Sequence, residues 1–575
     1  MTHRAKFLVG LVLFTSLCGC AGRDQKKERY DLGVASRAGA LAESAAYRDT
    51  LGAYGYFEGM APLRVRGYGL VVGLGKNGAG DCPRPIHDKI VQSIVRQQRS
   101  TATVVGAREL SPEALLADKD TAAVIVQGDI PAAATKGARF DVSVTALPGT
   151  QTKSLRGGRL YTTELEVFRQ MPSGVSIMGK VLARASGPVF LNPFSDEQSA
   201  TKSNPLEGVI VGGGVSLEDR RVRFVLAQPS YSIARQVEQR INARFGGAKK
   251  AADALSPSFI QLQVPEEFAR ETGHFLDLVR SLYLSRDPQF EATRARALAQ
   301  EIVNPAAPHG RISLCFEGLG RSALPALDEL YNHPKDYVSF YAAVAGMRLG
   351  DHVAADRVAM HAGDNAGEHR FPAIRALGEA RGMASASQAL RRLLEDADPR
   401  VRIAAYEALV DRGDPSIITR KVGGDNFALD LLATKGESFV YVTRSGTRRI
   451  ALFGEGMTCR PPVLYRAADG SVTLSADADA DHLTVLRTAV ASGATSPPMA
   501  APVELPRLIE FLGSEADVDE REAATGVGLD FGEIVRIVHQ LSSHGAVNAR
   551  FSLQEPNVAE LFGPAEPVGR PESEL

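Results

Sequence analysis

The sequence predicts a multidomain α+β protein in three parts: an α+β N-terminal half, an α-solenoid in the middle and a small α+β region at the C-terminus. Three observations support this prediction. Apolar runs between glycine-rich turns dominate the first half, helices recur with a period of about 32 residues in the middle, and alternating apolar and polar residues return afterwards. At 575 residues, the chain is long enough for about three or four domains.

Composition and motifs exclude several classes of function. Hydrophobic residues make up 44% and charged residues 23% of the chain, which is typical of a globular protein. The net charge of −1 gives no basic footprint for nucleic acid. No HExxH, GxSxG, CxxC or EF-hand pattern is present, and the acidic cluster Asp477, Asp479 and Asp481 is interpreted as solvated. We therefore predict no enzyme activity, no metal and no cofactor.

The N-terminus has the pattern of a bacterial export signal. Arg4 and Lys6 precede an apolar run, Phe7 to Leu17, that is too short to span a membrane. The run ends in Leu-Cys-Gly-Cys-Ala, which resembles a lipobox cleaved before Cys20, so we predict lipid on Cys20 and an anchor in the outer membrane. The alternative is an ordinary secretory signal cleaved elsewhere. The remaining thiols, Cys82, Cys315 and Cys459, have neither disulfide-framework nor zinc-ligand spacing, and their pairing stays open.

A glycine-rich run is the strongest motif of the first half. Leu70 to Val72 reads as a buried strand, followed by a glycine loop and by an amphipathic helix over Ile86–Gln98 that starts no earlier than about His87. The spacing of Gly73, Gly75 and Gly78 fits a dinucleotide fingerprint. However, Gly80 and two prolines separate these glycines from the helix, and Lys76 is not followed by Ser or Thr. The sequence thus favours a structural loop over a phosphate site.

A second motif follows two predicted strands. Thr121–Gln127 reads as a strand with a turn at 128–131, and 140–145 alternates as a second strand. The segment Lys-Ser-Leu-Arg-Gly-Gly at 153–158 is interpreted as a hairpin loop with solvated charges and with positive φ at both glycines. The alternative is an anion or peptidoglycan contact through Lys153, Arg156 and Arg159.

Further strands and one helix complete the first half. Strands are predicted at 208–215, at 222–226 and at 259–265, because each is an apolar or alternating run bounded by turn residues. A helix is predicted over Ile233–Phe245, where apolar residues recur every four positions, with Ser230 or Ser232 as its N-cap.

The two motifs, in this order, resemble the bacterial flagellar P-ring protein family over about residues 60–265. The resemblance implies a structural subunit that assembles with copies of itself into a ring or bushing around the flagellar rod, in the periplasm at the basal body. It also implies contacts with rod and L-ring proteins, and with peptidoglycan. The signature residues expected to act in the fold or in subunit contacts are Gly67, Tyr68, Gly69, Gly73, Gly75, Gly78, Gly80, Asp81, Lys153, Ser154, Leu155, Arg156, Gly157 and Gly158.

The middle of the chain leaves that family. Helices are predicted at 338–351, 371–382 and 401–414, each closing on a glycine, and earlier helices at 268–284 and 314–330. Their spacing resembles HEAT repeats, whose helix pairs stack into a solenoid because one pair cannot bury its apolar face alone. This resemblance implies protein binding, or alternatively a purely architectural spacer. A second hypothesis is therefore an envelope lipoprotein that scaffolds other proteins without a flagellum.

The C-terminal region returns to strand patterns. Strands are predicted at 439–442, 449–453, 463–465, 482–486 and 549–553, with a loop at 492–502 and helices at 508–512 and 531–541. The last elements fit a winged-helix outline, but an exported neutral chain is not expected to bind DNA. The predicted divisions are 1–20 signal peptide, 21–59 tether with a helix at 38–47, 60–265 P-ring-like, 266–415 HEAT-like, 416–562 C-terminal region and 563–575 disordered tail.

Overall fold

The structure is a computed structural model that describes most of the chain from residue 49 onward. The described residues are 49–100, 111–170, 176–191, 204–247, 249–269, 271–380, 382–424, 426–467, 470–488, 495–514 and 526–554. The predicted signal peptide, Cys20, the predicted tether up to residue 48 with its helix at 38–47, and the C-terminal tail lie outside these residues. The end of the predicted tether is described and is not a tether, because Leu51–Tyr54 is a helix and Gly55–Glu58 is a strand. No described helix is both long and apolar enough to cross a membrane.

A six-stranded closed barrel forms the centre of the first half. It follows the short helix α1 (Leu51–Tyr54) and strand β1 (Gly55–Glu58). The barrel strands are β2 (Leu63–Val72), β3 (Ala122–Ile130), β4 (Arg139–Ala146), β5 (Arg159–Gln170), β6 (Ser176–Pro188) and β7 (Glu207–Ser216). They pair in the order β2-β3-β4-β7-β6-β5, and β5 closes on β2. Every contact between neighbours is antiparallel.

The strand patterns explain the barrel interior. Alternate residues point inward, so the period-2 apolar positions of β2 to β7 meet in one core. Its buried members include Val65, Val71, Val124, Val126, Val142, Val144, Leu160, Leu165 and Ile210. Helix α2 (Arg84–Ser100) and the short α3 (Pro112–Ala117) lie outside the barrel, where Ile90 and Ile94 pack on Leu70 and Ala123. Closure gives every strand of this sheet two neighbours.

Two corrections concern the barrel. The turn predicted at 128–131 is wrong, because β3 continues to Ile130 and pairs with the start of β2. The hairpin predicted at 153–158 is also wrong. The preceding strand β4 pairs with β3 and β7, whereas the following strand β5 pairs with β2 and β6, so this segment crosses one end of the barrel. Of the two glycines in this segment, Gly157 alone has a positive φ, of 72°.

A small α+β unit adjoins the other end of the barrel. Strands β8 (Val222–Leu226), β9 (Ala252–Asp253) and β10 (Phe259–Leu262) form a sheet with β1, in the order β1-β8-β10-β9. Helices α4 (Tyr231–Phe245) and α5 (Thr272–Ser281) pack on it, and the Ser230 hydroxyl caps α4 by accepting from the Ile233 amide. Helix α4 and its cap are as predicted. The helix predicted at 268–284 is shorter, and its core residues Phe275 and Val279 pack in this unit rather than in the helical repeats.

The middle of the chain is an array of helices that pack on one another in sequence. They are α6 (Pro288–Glu301), α7 (His309–Leu319), α8 (Leu324–Asp328), α9 (Asp336–Arg348), α10 (His352–Gly363), α11 (Arg370–Glu379), α12 (Ala384–Leu393) and α13 (Pro399–Arg412). Gly350, Gly382 and Gly413 all have positive φ, as their closing positions predict. The single helix predicted at 314–330 is wrong, because Gly320, with φ of 86°, separates α7 from α8.

The C-terminal region contains two sheets and two helices. A five-stranded sheet has the order β11 (Ile418–Val422), β12 (Phe427–Leu432), β14 (Arg449–Phe453), β13 (Phe439–Val442) and β19 (Arg550–Leu553). A four-stranded sheet follows in the order β15 (Val463–Arg466), β16 (Val472–Ala476), β17 (His482–Arg487) and β18 (Met499–Pro502). Helices α14 (Leu505–Gly513) and α15 (Phe531–Ser543) cover one face of the larger sheet, and the helical array covers the other.

Pairing in these sheets corrects two predictions. The loop predicted at 492–502 is wrong at its end, because β18 pairs with β17; residues 492–494 lie outside the described residues. The winged-helix outline is also wrong, because β19 pairs in parallel with β13 instead of forming a wing with its own helices. Strands β11, β12 and β16 were not individually predicted.

The C-terminal region also folds back onto the barrel. The Asp141 carboxylate on β4 accepts hydrogen bonds from the Gly212 amide, at 2.5 Å, and from the Gly446 amide, at 3.3 Å. Phe190, just after β6, packs against Phe531 at the start of α15, with ring centroids 6.0 Å apart. The first and last parts of the described chain are therefore in direct contact.

Candidate functional site: a loop cluster at one end of the barrel

The first three signature residues lie within strand β2. Gly67 and Gly69 face strand β5 so closely that an added Cβ would lie 2.2 Å from the Glu164 carbonyl or from the Thr163 hydroxyl. The pairing of β2 with β5 shifts register between Arg66 and Val71, at the level of these glycines. Their role is therefore to let two strands close the barrel. Tyr68 is half-buried on the outer face, with the Lys89 ammonium 5.8 Å from its ring centre.

The rest of the glycine-rich motif is a loop held against the segment before β3. The Leu74 amide donates to the Asp120 carbonyl at 2.9 Å, and the Gly75 amide donates to the Asp120 carboxylate. The Ala79 amide donates to the Thr121 carbonyl at 2.9 Å. Gly80 has φ of 65°, and an added Cβ would lie 2.7 Å from the Ala117 carbonyl oxygen, so glycine is required there.

The structure brings the second motif onto this loop. The Lys153 amide donates to the Asn77 carbonyl at 2.8 Å, and the Gln151 amide donates to the Asp81 carboxylate at 3.0 Å. Leu155 is fully buried in the barrel core, so it anchors the crossing segment. Two motifs that are far apart in sequence therefore form one assembly.

Gly158 joins the two motifs at their closest approach. A Cβ added there would lie 2.4 Å from Val71 Cγ1 and 2.5 Å from Leu74 Cδ2, both buried. The cap of the barrel is thus packed against glycine with no room for a methyl group. We call residues 73–81, 118–121 and 151–158 together the loop cluster.

The acidic and the basic side chains of the loop cluster have different roles. Asp81, Asp118 and Asp120 each accept a hydrogen bond from a backbone amide, so the carboxylates stabilise the loops. The cations are the exposed side chains of Lys76, Lys119 and Lys153 and the half-buried Arg156, and within the described residues none of them has an ion pair. The three lysines border an open cleft of about 470 Å³.

The loop cluster is not a phosphate loop. The amides of Gly75, Ala79 and Gly80 already donate to protein oxygens, so they are not free to hold a phosphate. Helix α2 begins at Arg84, earlier than the predicted His87, because Pro85 is tolerated in a first helical turn. The helix still starts beyond Gly80, outside the loop.

The three described cysteines are free thiols. Burial, with the neighbouring Asp81 carboxylate, raises the pKa of Cys82 beside the loop cluster to about 11. Burial also raises the pKa of Cys315 to about 12 and that of Cys459 to about 11. All three are therefore protonated, unreactive thiols near neutral pH.

A histidine pair in the helical array was not predicted from the sequence. The Asp336 carboxylate lies 3.1 Å from His361 Nδ1 and 2.8 Å from His369 Nδ1. Burial lowers the pKa of His361, and the Asp336 charge opposes this shift. These residues lie in α9, in α10 and in the turn before α11, so no sequence motif of fixed spacing indicates them. Among the described residues, no group of three or more His, Cys, Asp or Glu could hold a metal ion.

The barrel, its glycine-packed loop cluster and its α+β unit lie in the part of the chain that matches a known protein family. Residues 54–293 match the family described as Flagellar P-ring protein, and residues 362–420 match HEAT repeats. Both predicted resemblances are confirmed by these matches. The matching family is a structural component of the flagellum and not an enzyme.

Individual relatives show the same likeness at modest identity. The chain is 27% identical to a Flagellar P-ring protein of Geobacter metallireducens over 288 residues, which cover 47% of this chain and 73% of that protein. It is 30% identical to a Flagellar P-ring protein of Rhodopseudomonas palustris, over 40% of this chain and 59% of that protein. It is 32% identical to that of Nitratidesulfovibrio vulgaris, over 39% and 58%. The chain thus spans less than two thirds of two of these three relatives.

Proposed function

We propose that this chain is a structural subunit of a P-ring-like assembly, a periplasmic ring around the flagellar rod at the basal body. The observation that carries the proposal is the loop cluster, in which both family motifs pack together into one cap at a close contact that requires glycine. A rigid cap with outward-facing cations suits a contact surface and not a reaction site. The signature glycines and Leu155 then set the shape of the cap, and three lysines of the loop cluster, Lys76, Lys119 and Lys153, present charge.

Barrel closure limits where neighbouring subunits can make contact. Because every barrel strand has two neighbours in this sheet, little strand edge is left for subunits to associate by adding strands. We therefore expect contacts between copies to use the barrel ends, the outer helices or the other units. Copies that meet through two different surfaces form a closed ring when the rotation between them closes. The loop cluster is one such surface, and its partner is an acidic surface of a neighbouring copy or of another basal-body component.

Further partners and the anchor belong to the same proposal. The partners are copies of the chain itself, rod and L-ring proteins, and peptidoglycan, whose carboxylates would complement the lysines of the loop cluster. Lipid on Cys20 would tether the chain to the outer membrane on the periplasmic side. Palmitate labelling of the native protein, lost in Cys20→Ala, tests the anchor.

Genetic complementation tests the proposed ring. We expect deletion of the gene in the native bacterium to abolish swimming and to remove a ring from isolated basal bodies. The triple variant Lys76→Glu, Lys119→Glu and Lys153→Glu should restore neither. The matched control reverses the exposed Lys136, Lys249 and Lys435, which lie outside the loop cluster, and should restore both. Normal swimming with an intact ring after gene deletion would overturn the proposal.

A second candidate function is an envelope scaffold that binds other proteins through the helical array. The observation that favours it is exposed apolar side chains on the array: Val353 and Met360 on α10 are 61% and 62% exposed, and Phe371 on α11 is 44% exposed. Val353 and Met360 are two helical turns apart on one face. Under this alternative, the variant Val353→Asp, Met360→Asp gives the phenotype of the gene deletion, whereas the lysine triple variant behaves as wild type.

A further inference from the structure

A partly open cavity with charged, hydroxyl-bearing and apolar lining residues lies where the α+β unit meets the helical array. It has a volume of about 230 Å³ and lies between α1, α5 and α7. Helices α5 and α7 touch at Gly318, where an added Cβ would lie 2.5 Å from the Ser281 carbonyl oxygen. The cavity opens on the N-terminal side of this contact in both helices. Its charged lining consists of Asp277, Arg280 and Arg311.

These three charges are not used by the fold. Within the described residues, neither guanidinium has an ion pair or a side-chain hydrogen bond, and the Asp277 carboxylate has none either. The interaction that Asp277 does make uses its backbone carbonyl, which accepts from the Ser281 hydroxyl at 2.8 Å. Several other arginines of the array are paired, for example Arg391 with Asp414 at 2.9 Å. Two cations and one anion thus border one small cavity, at which Asp277 and Arg311 are exposed and Arg280 is half-buried.

Arg280 is held in position by its surroundings. A Cβ added at Gly52 would lie 2.6 Å from Arg280 Cγ, so the glycine lets the arginine stem cross α1. The Arg280 guanidinium carbon lies 5.4 Å from the Phe57 ring centre, in the range of a cation–π contact. A guanidinium fixed in this way loses little conformational freedom when it binds a ligand.

The remaining lining is uncharged. The Cys315 thiol is buried, and burial keeps its pKa near 12, so it contributes no negative charge. Thr50 and Ser281 add buried hydroxyl-bearing side chains. The volume is below the roughly 300–1,000 Å³ of sites for drug-sized ligands, so the occupant must be small.

We propose that this cavity binds the ammonium and carboxylate of a small α-amino acid group, with Arg280 and Arg311 on the carboxylate and Asp277 on the ammonium. Two guanidinium groups match a carboxylate, and a carboxylate on the same wall matches the adjacent ammonium. The ligand is a free amino acid, or an α-amino acid group whose side chain is acylated. Binding would join α5 of the P-ring-like region to α7 of the helical array, and it is independent of the proposed ring.

Calorimetric titration of the full chain with defined probes tests the site. We expect L-alanine or D-alanine to bind, and N-acetylalanine and alanine amide, which lack the ammonium charge or the carboxylate, to bind at least about 10-fold more weakly. Nε-acetyl-lysine, whose side chain is acylated, distinguishes the two sources. If it binds as alanine does, an α-amino acid group on an acylated side chain also enters the cavity. If alanine alone binds, the ligand is the free amino acid. Absence of alanine binding, or equal binding of N-acetylalanine or of inorganic phosphate, would overturn the proposal.

Variants assign the roles of the three charges. Arg280→Gln should weaken alanine binding about 10-fold or more, and Asp277→Asn should do the same without weakening the binding of acetate. The controls Arg296→Gln and Asp328→Asn change exposed residues outside the cavity and should bind alanine as wild type does. Circular dichroism of each variant verifies folding. Unchanged alanine binding in both folded cavity variants would disprove the assignment.

Discussion

The helical array and the loop cluster use charged side chains in opposite ways. The array contains buried arginines that bind its backbone: Arg402 donates to the Leu394 and Glu437 carbonyls at 2.9 and 2.8 Å. In the loop cluster, the carboxylates hold the backbone, and the lysines face outward without ion pairs among the described residues. The difference teaches that charge maintains the fold in one region and is available to a partner in the other.

Charged side chains also stabilise the junction between the array and the C-terminal sheet. Asp430 on β12 is fully buried and accepts hydrogen bonds from Tyr406 at 2.5 Å, Thr419 at 2.5 Å and Arg449 at 2.7 Å. The Arg402 guanidinium lies over the Phe439 ring, 4.8 Å from its centre. A buried carboxylate shared by three elements costs free energy to desolvate, and only complete pairing offsets that cost.

Removing the shared carboxylate should have the largest effect. Asp430→Ala leaves the Arg449 guanidinium and the Tyr406 hydroxyl without their buried partner, and we expect a loss of about 3–5 kcal/mol in the free energy of unfolding of this region. Urea denaturation followed by tyrosine fluorescence measures it. Asp481→Ala, whose side chain is 95% exposed, is the control. A loss below about 0.5 kcal/mol in Asp430→Ala would show that the junction does not depend on this pairing.

Filling the glycine contact of the loop cluster should have the next largest effect. Gly158→Val places methyl groups against Val71 and Leu74, and overpacking of this kind costs about 1–3 kcal/mol. Thermal unfolding by calorimetry is the measurement. Gly247→Ala, where nothing lies within 4 Å of an added Cβ, should leave the unfolding temperature nearly unchanged. An equally small change in Gly158→Val would mean that the cap yields easily.

A buried acid in the C-terminal region should give a smaller, pH-dependent effect. Glu533 donates its amide to the Asp530 carboxylate and accepts from the Asp530 amide, forming a capping box on α15. Burial, together with the Asp530 charge, raises the pKa of Glu533 from 4.5 to about 7. Because the folded pKa lies above the unfolded one, the folded state binds the proton more tightly, and this stabilisation is present below pH 4.5 and lost as pH rises through 7.

Replacing Glu533 with Gln distinguishes the effect of its protonation from that of its capping hydrogen bond. Glu533→Gln keeps an acceptor for the Asp530 amide but cannot ionise. We therefore expect it to match wild type near pH 4.5 and to be more stable above pH 7, by on the order of 1 kcal/mol. Unfolding temperatures across this pH range measure the difference, with the exposed Glu455→Gln as control. A constant difference at every pH would contradict the expected proton linkage.

Charge reversal on the loop cluster should have the smallest effect on stability. Because Lys76, Lys119 and Lys153 have no ion pairs within the described residues, their triple change to Glu should alter the free energy of unfolding by no more than about 0.5 kcal/mol. The same variant is expected to abolish swimming. A large loss of stability would show that these lysines serve the fold, as the arginines of the array do.

Local patterns were sufficient for most individual elements. Helix α4 with its Ser230 cap, the closing glycines of α9, α11 and α13, and strands such as β8 follow from periodicity and capping, because these signals depend on residues close in sequence. Gly158 of the crossing segment is one of the signature residues expected to act in the fold or in subunit contacts, but its interpretation as a turn glycine with positive φ is wrong. Its small size is required by two side chains of another segment, Val71 and Leu74, which no local pattern reveals.

The sequence by itself determined many of the strands and helices and the two family resemblances, since these depend on local spacing and motif order. Only the tertiary structure decided that β5 closes on β2, that both motifs meet in one loop cluster, and that Asp277, Arg280 and Arg311 share a cavity. Strand order and side-chain proximity arise from packing between residues far apart in the chain. Hydrophobic periodicity identifies a buried face, but it does not specify the segment that buries it.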